Sequence, residues 1–215
     1  MIKIVGLNLG QTAAVVYHGR ATTTAGDKRP VAAAWLGPEG LTGDAQADRQ
    51  NHGGPDKAVC AYPSEHYAFW QAQLGRALPA SAFSENFTLE GLTEPEANLG
   101  DTYAVGAAVV QVCQPRIPCF KLAGRLDFPE APDIIQETGK SGFYLRVLQP
   151  GEVHSGDELI LRERHPAGVS IQFVNEVLYR HRVDRASFEA ILAVDAAAAV
   201  LRKIIRRQLE RQEAE

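Results

Sequence analysis

The composition of the chain changes near residue 168, and this change constrains the fold more than any other feature. Before it, short runs rich in β-branched residues, such as "IKIVGLNLG", "AAVVYHG" and "DTYAVGAAVVQVCQ", are separated by glycine and proline. Many short strands with few helices between them favour a barrel or a sandwich over a parallel α/β sheet. We therefore predict a mostly β domain over residues 1–165.

Residues 168–215 are predicted to form a helical appendage. No glycine follows residue 168, and apolar residues recur at the spacing of one helix face. Ser170, Asp184 and Asp195 each stand before such a pattern, where a side-chain oxygen can cap the first turn of a helix. The sequence predicts three amphipathic helices that pack on one another or on a partner.

Two segments of the β-rich part allow local predictions. In "SEHYAFWQAQL" the apolar residues recur at helical spacing, and Ser64 stands in front as a candidate N-cap. The stretch "GFYLRVLQPGEVHSGDELILRER" predicts two strands joined through "PGEVHSGD", because its apolar residues alternate on either side of a turn-forming segment.

Charge and cysteine content exclude several classes of protein. The net charge of -4 over 215 residues argues against bulk electrostatic binding to nucleic acid or to an anionic membrane. The first residues form too short an apolar run for a secretory signal, and no stretch is predicted to span a membrane. Three cysteines without a C-x-x-C pair predict neither a disulfide framework nor a zinc ribbon. We expect a reduced, cytoplasmic protein.

The segment "QPRIPCFKL" contains the cysteine that is the strongest candidate for a nucleophile or a metal ligand. Pro115 and Pro118 stiffen the backbone that leads to Cys119. Arg116 and Lys121 are close in sequence, and nearby cations favour a thiolate, which can act as a nucleophile or as a soft metal ligand. The alternative is an inert buried thiol, since free cysteine is among the most buried residue types. The segment alone does not decide between a reactive thiolate and an inert buried thiol.

A glycine pair in "DRQNHGGPDKAV" is the second candidate. Gly53 and Gly54 permit positive φ and allow backbone N–H groups to approach a ligand closely. Arg49, His52 and Lys57 would add positive charge beside that loop. The alternative is a surface turn with incidental charges, because Gly-Gly-Pro is a sequence that is common in turns.

Two further polar residues and two further cysteines have simpler alternatives. Asn86 in "FSENFTLEGL" can bind a ligand or form a local turn with its own backbone, and Lys28 in "TAGDKRPV" can belong to a solvated face. Cys60 in "AVCAYP" and Cys113 in "VQVCQ" lie in apolar runs, so we predict that both are core residues.

Taken in order, these motifs resemble a known family. The succession "GLTGDAQADRQNHGGPDKAVCAYP", "ENFTLEGL", "LGDTYAVG" and "VQVCQPRIPCFKL" is similar to the MOSC domain, the C-terminal domain of molybdenum cofactor sulfurases, and the helical ending resembles the YiiM-type bacterial proteins. The resemblance implies a twisted, mostly antiparallel β-barrel with a small three-helix subdomain. The chain departs from the family pattern at Ser84, where glycine is usual, and in "TAGDKRP", where "TGIxKxP" is usual.

The resemblance also implies a function. Related proteins bind molybdenum cofactor, and the cysteine that matches Cys119 ligates the metal. The reaction implied is the reduction of N-hydroxylated compounds, including hydroxylamino purines, with electrons from a separate donor protein. Sulfur transfer through a persulfide on Cys119 is one alternative, and a non-catalytic binding module is another. A homodimer through the helical appendage is left open.

For the anionic cofactor, the resemblance and the residue types together imply a local basic pocket in an acidic protein. Gly53 and Gly54 would offer backbone donors and Asn86 would orient the pterin. The cations available for this pocket are Lys28, Arg49, His52, Lys57, Arg116 and Lys121.

Overall fold

The computed structural model describes residues 1–17, 19–47, 53–180 and 183–213. In this part of the chain, seven strands form the barrel: β1 (Ile2–Gly10), β7 (Val59–Pro63), β8 (Phe87–Glu90), β9 (Thr102–Val105), β10 (Ala108–Pro115), β11 (Phe143–Gln149) and β13 (Glu158–Glu163). Their order is β13-β9-β10-β11-β7-β8-β1, and a β1–β13 pairing of Ile2 with Leu159 closes the ring. All pairs in the ring are antiparallel except β7–β8, so the predicted β-barrel is confirmed.

The other described strands lie outside this ring. They are β2 (Ala13–Tyr17), β3 (Arg20–Thr24), β4 (Lys28–Pro30), β5 (Ala33–Gly37), β6 (Gly40–Leu41) and β12 (Gly151–His154). β2 and β3 form a hairpin, and β4 extends the barrel sheet from β1. The two strands predicted over residues 142–164 are present as β11 and β13, but the segment that joins them is not a simple turn, because it contains a third strand, β12, that pairs with β5. Because β5 lies far from β12 in the sequence, no pattern of neighbouring residues indicates that the two strands pair.

Six α-helices occur in the described residues: α1 (His66–Leu74), α2 (Phe120–Leu126), α3 (Ala131–Thr138), α4 (Ile171–Tyr179), α5 (Arg185–Leu192) and α6 (Ala199–Glu213). The spacing predicted α1, but Ser64 is not its cap: Glu65 precedes the helix, and the Ser64 backbone N–H donates to Leu89 O at 2.6 Å. Neither α2 nor α3 was predicted. Both are short, with seven and eight residues, and an apolar pattern needs more turns to be recognised.

The caps of the C-terminal helices are partly as predicted. Ser170 Oγ accepts from Phe173 N at 3.1 Å, and Asp184 Oδ1 accepts from Ser187 N at 2.8 Å. Asp195 does not cap the last helix, which begins at Ala199. The chain is instead tied to the barrel here, because Ala198 N donates to Cys113 O at 2.9 Å.

One apolar core runs from the barrel into the C-terminal helices. Val110, Val112 and Leu145 inside the barrel belong to the same buried cluster as Ile191 and Leu201 of the helices. Burial of each such side chain stabilises the fold by about 1.5–3 kcal/mol. The three helices are therefore anchored to the barrel, while the boundary at residues 165–168 stays a prediction.

A smaller cluster lies beneath α1, α2 and α3. Trp70, Phe83 and Leu126 are buried in it, and the ring of Tyr62 stacks on that of Phe83 with 3.9 Å between the centroids. This cluster supports the loop before β8 and the helix after Pro118. Of the helices described here, none is long and apolar enough to pass through a membrane.

Candidate functional site

A cleft of about 760 Å³, open to solvent, lies where the β2–β3 hairpin, the loop before β8 and α2 meet. This volume includes space that is open to solvent. Six residues predicted from sequence line it together, although they span almost one hundred positions: Lys28, Lys57, Asn86, Arg116, Cys119 and Lys121.

Cys119 is presented to the cleft by a stiff segment. Strand β10 ends at Pro115, and the Arg116 N–H donates to Gly142 O at 3.0 Å, which holds the next residue against the barrel. Cys119 then precedes α2 in an extended conformation, and its carbonyl accepts from Leu122 N at 3.0 Å. The residue is partly exposed, so its thiol is not sealed in the core.

Arg116 connects Cys119 to the loop before β8. Its Nη1 donates to the carbonyl of Phe83. Desolvation acts to lower the pKa of Arg116, but the neighbouring Cys60, Tyr144 and Cys119 groups outweigh it and raise the pKa. A permanent positive charge therefore lines the same cleft as the Cys119 side chain.

Lys28 and Asn86 line the cleft, and the side chains of both also bond to Asp44, another residue of the lining. Lys28 is 8% exposed, so it is not a solvated loop charge, and its Nζ lies 2.5 Å from Asp44 Oδ2. The Asn86 side chain donates to the same Asp44 oxygen at 2.8 Å and accepts from Cys60 N at 3.1 Å. These are long-range bonds rather than a local turn, and they build the wall. Contact of either side chain with a ligand stays a prediction.

The glycine pair lies beside the cleft rather than in its lining. Gly54 has φ 89, a conformation that favours glycine, and it precedes a short turn of 3-10 helix over Pro55–Lys57. That turn brings Lys57 to the cleft, where its Nζ lies 5.8 Å from the centre of the Tyr144 ring. Arg49 and His52 lie outside the described residues, so their predicted roles stay predictions.

Sequence reasoning missed several residues of the lining: Asp44, Cys60, Ser84, Arg125 and Tyr144. Cys60 was predicted to be a core residue; it is 7% exposed but reaches the lining, and burial raises the pKa of its thiol. Cys113 is fully buried, as predicted. The departure from the family pattern at Ser84 was the one local signal, since the others are ordinary residues brought in by pairing of distant strands.

The donor set fits an anionic, sulfur-linked metal cofactor better than a bare metal ion. In the described part of the chain, no three His, Cys, Asp or Glu side chains come together as a metal site. The partly exposed thiol of Cys119 is present instead, with Arg116, Lys57 and Lys121 around the same cleft. A ligand that brings its own sulfur donors and a phosphate would use one protein thiolate and several cations.

Fold and cleft together define a β-barrel protein with a cationic ligand cleft that contains a thiol, followed by three C-terminal helices. The model of the MOSC domain matches residues 48–160, and the model of the YiiM-like 3-alpha helix domain matches residues 169–212. The chain belongs to the MOSC domain family.

Similar proteins cover most of the chain. The Bacillus subtilis protein YflK is 45% identical over 192 residues, which are 89% of this chain and 87% of that protein. The crystal structure of YiiM from Geobacillus stearothermophilus has a TM-score of 0.83 at 41% identity, covering 97% of this chain and 100% of that one. A Gibberella moniliformis protein named "Reductase" is 33% identical over 148 residues, which are 67% of this chain and 26% of that protein.

Proposed function

We propose that the chain is a molybdenum-cofactor-dependent oxidoreductase that reduces N-hydroxylated compounds such as hydroxylamino purines. The observation that carries the proposal is the position of Cys119 in one cleft with Arg116, Lys57 and Lys121. Membership of the MOSC family supports a role connected with molybdenum cofactor. The name of the fungal relative supports reduction as the type of reaction.

In this proposal the chain's own residues bind and orient the ligands. The Cys119 thiolate would hold the metal, and Arg116, Lys57, Lys121 and Arg125 would bind the phosphate of the pterin. The buried pair of Lys28 and Asp44 carries no net charge, so it would form a polar wall rather than part of the phosphate site. The cofactor, when bound, would supply a two-electron redox centre.

The overall reaction consumes two electrons and two protons. The N–O bond of R–NHOH breaks, one proton adds to the nitrogen to give R–NH2, and the other adds to the oxygen, which leaves as water. Electrons would come from a separate donor protein, and a side chain in the cleft must protonate the leaving oxygen. Tyr144 stays protonated at neutral pH because burial raises its pKa, so it can donate a hydrogen bond to that oxygen.

The test is to produce the protein in hosts with and without cofactor synthesis and to measure molybdenum, pterin and the reduction of N6-hydroxylaminopurine. We expect cofactor and activity from the competent host only, and loss of both in Cys119→Ser. Cys113→Ser is the matched control, because Cys113 is buried away from the cleft and its Sγ donates to Asp56 O at 3.1 Å, a bond that serine can keep. A fully active Cys119→Ser protein would contradict the proposal.

A second candidate is sulfur transfer, favoured by the partial exposure of Cys119 and by a second thiol, Cys60, in the same cleft. The Cys119 thiolate would accept a sulfane sulfur from the persulfide of a cysteine desulfurase, which leaves the donor as a thiol. Mass spectrometry after incubation with a desulfurase should then show one added sulfur on Cys119. Bound molybdenum without this adduct would favour reduction.

A further inference from the structure

Ser84 has an unusual backbone conformation at the cleft. Its φ is 59, in the left-handed region that favours glycine, and Ser81 three residues earlier has φ 54. Residues other than glycine adopt this region at an energetic cost, and such conformations persist where the surrounding structure enforces them, often at functional sites. Ser84 lines the cleft and is partly exposed there, whereas Ser81 is fully buried.

Two arginines hold the backbone of this loop. Arg125 Nε donates to Ala82 O at 3.1 Å, and its Nη2 donates to Ser81 O at 3.1 Å. Arg116 donates to the carbonyl of Phe83, the residue directly before Ser84. Three successive carbonyls are therefore bound from the side of the cleft, and the loop cannot relax towards an ordinary conformation.

A buried carboxylate holds the loop from the opposite side. Glu85 accepts hydrogen bonds from Tyr67 Oη at 2.6 Å, from Thr88 Oγ1 at 2.7 Å and from Phe83 N at 3.1 Å. Glu85 is fully buried, so these bonds are strong and position the residue after Ser84. The hydrogen bonds of the two arginines and of Glu85 therefore hold the backbone on both sides of Ser84.

Gly26 leaves room for the Ser84 hydroxyl. A Cβ atom added to Gly26 would lie only 2.9 Å from Ser84 Oγ, and both residues line the cleft. The hydroxyl and the space that receives it are therefore both features of the cleft.

We propose that the Ser84 hydroxyl is a specificity-determining group that hydrogen-bonds the N–OH group of the substrate. The inference rests on the proposed function and names a contact within its site. A serine hydroxyl can both donate and accept, as can an N–OH group, so the pair is complementary in either direction. Arg116 lies between these positions in the chain of contacts, because it binds the carbonyl before Ser84 and lines the same cleft as Cys119.

The test compares Ser84→Gly, Ser84→Ala and the control Ser81→Gly. Glycine at position 84 relieves the backbone strain, so we expect a higher melting temperature together with a KM for N6-hydroxylaminopurine raised about threefold to tenfold, the value of one hydrogen bond. Ser84→Ala keeps the strain and should show the same rise in KM. Ser81→Gly relieves the same kind of strain and should keep the wild-type KM, because Ser81 does not line the cleft; it also removes the hydrogen bond from Ser81 Oγ to Glu85 O at 2.9 Å, so only its KM, not its melting temperature, serves as the control.

Binding without turnover provides a second readout. In the wild type, N6-hydroxylaminopurine should raise the melting temperature more than adenine does, because adenine lacks the hydroxyl. In both Ser84 variants this difference should vanish. Gly26→Ala should raise KM in the wild type by displacing Ser84 Oγ and have little further effect in Ser84→Gly, a non-additive result expected of contacting residues.

Three outcomes would overturn the inference, and they are distinguishable. A wild-type KM and a retained ligand difference in both Ser84 variants would show that the hydroxyl does not touch the substrate. Loss of molybdenum and pterin from these variants at unchanged KM would assign the hydroxyl to the cofactor. A wild-type protein that neither reduces N6-hydroxylaminopurine nor is stabilised by it would refute the proposed function and the subsite together.

Discussion

Lys28 and Asp44 form a buried ion pair in the wall of the cleft, with 2.5 Å between Nζ and Oδ2 and side chains that are each 8% exposed. Asp44 also accepts from Gly10 N at 2.7 Å, so the pair ties the end of β1 to the loop that follows β6. Asn86 adds a bond to the same carboxylate. The pair is therefore part of the frame that shapes the cleft.

Replacement of Lys28 by methionine should destabilise the protein by about 3–5 kcal/mol, because it leaves the Asp44 carboxylate buried without its counter-charge. The measurement is the free energy of unfolding in urea. Lys203→Met, at an exposed position of α6, should change it by less than about 0.5 kcal/mol. The double replacement Lys28→Met, Asp44→Leu should cost less than the sum of the two single replacements; a simple sum would contradict the account.

Gly124 in α2 is packed against Tyr17 of the β2–β3 hairpin. A Cβ atom at position 124 would lie 2.2 Å from Tyr17 Cγ. Glycine to alanine normally stabilises a helix interior by about 1 kcal/mol, but overpacking costs about 1–3 kcal/mol. We expect Gly124→Ala to lower the melting temperature and to increase proteolysis in the hairpin.

The control for this prediction reverses the sign of the effect. In a Tyr17→Gly background the clash is gone, so the same Gly124→Ala replacement should raise the melting temperature through helix propensity. If Gly124→Ala stabilises the protein in both backgrounds, the hairpin does not pack on α2 in solution.

Alkaline pH should destabilise the fold through Cys113. Burial, the largest cause, raises the pKa of this thiol from 9.0 to about 12. Between these values the unfolded chain releases a proton that the folded protein retains. The contribution of this thiol to the free energy of unfolding is therefore fully present below about pH 9 and is lost as the pH rises towards 12. Melting temperatures measured from pH 8 to pH 11 should decline.

The Cys113→Ala variant tests whether the Cys113 thiol causes this decline in melting temperature. The variant starts from a lower stability because it loses buried contacts, but its melting temperature should fall less steeply with pH. Tyr103 and Tyr179, whose pKa values burial raises to about 12, account for part of the remaining slope. An unchanged slope in Cys113→Ala would exclude the thiol as its source.

Local patterns in the sequence predicted those elements whose stabilisation is local. The caps at Ser170 and Asp184 lie next to the helices that they start, and the spacing of apolar residues predicted α1. The prediction failed at Asp195, where a hydrogen bond from Ala198 to Cys113 delays the helix. It also failed for β12, whose partner β5 lies more than one hundred residues earlier.

For the candidate site, the ordered motifs and the family resemblance singled out Cys119 and most of the cations that line the cleft with it, whereas the segment around Cys119 alone left the alternative of an inert thiol open. They did not identify Asp44 or Tyr144, which are ordinary residues in sequence. They also did not show that the buried Cys60 reaches the lining of the cleft. Its neighbours in sequence are apolar, while its neighbours in space include Arg116.

The sequence by itself determined the β-rich part, the helical C-terminal part, the family and the choice of Cys119 as the candidate cysteine. Each of these depends on residue types at short spacing. Only the tertiary structure decided that Lys28 is neutralised by Asp44, that Cys60 reaches the cleft, and that Gly26 makes room for the hydroxyl of Ser84. The physical reason is that barrel closure sets distances between residues far apart in the chain. Charge compensation and steric fit depend on those distances.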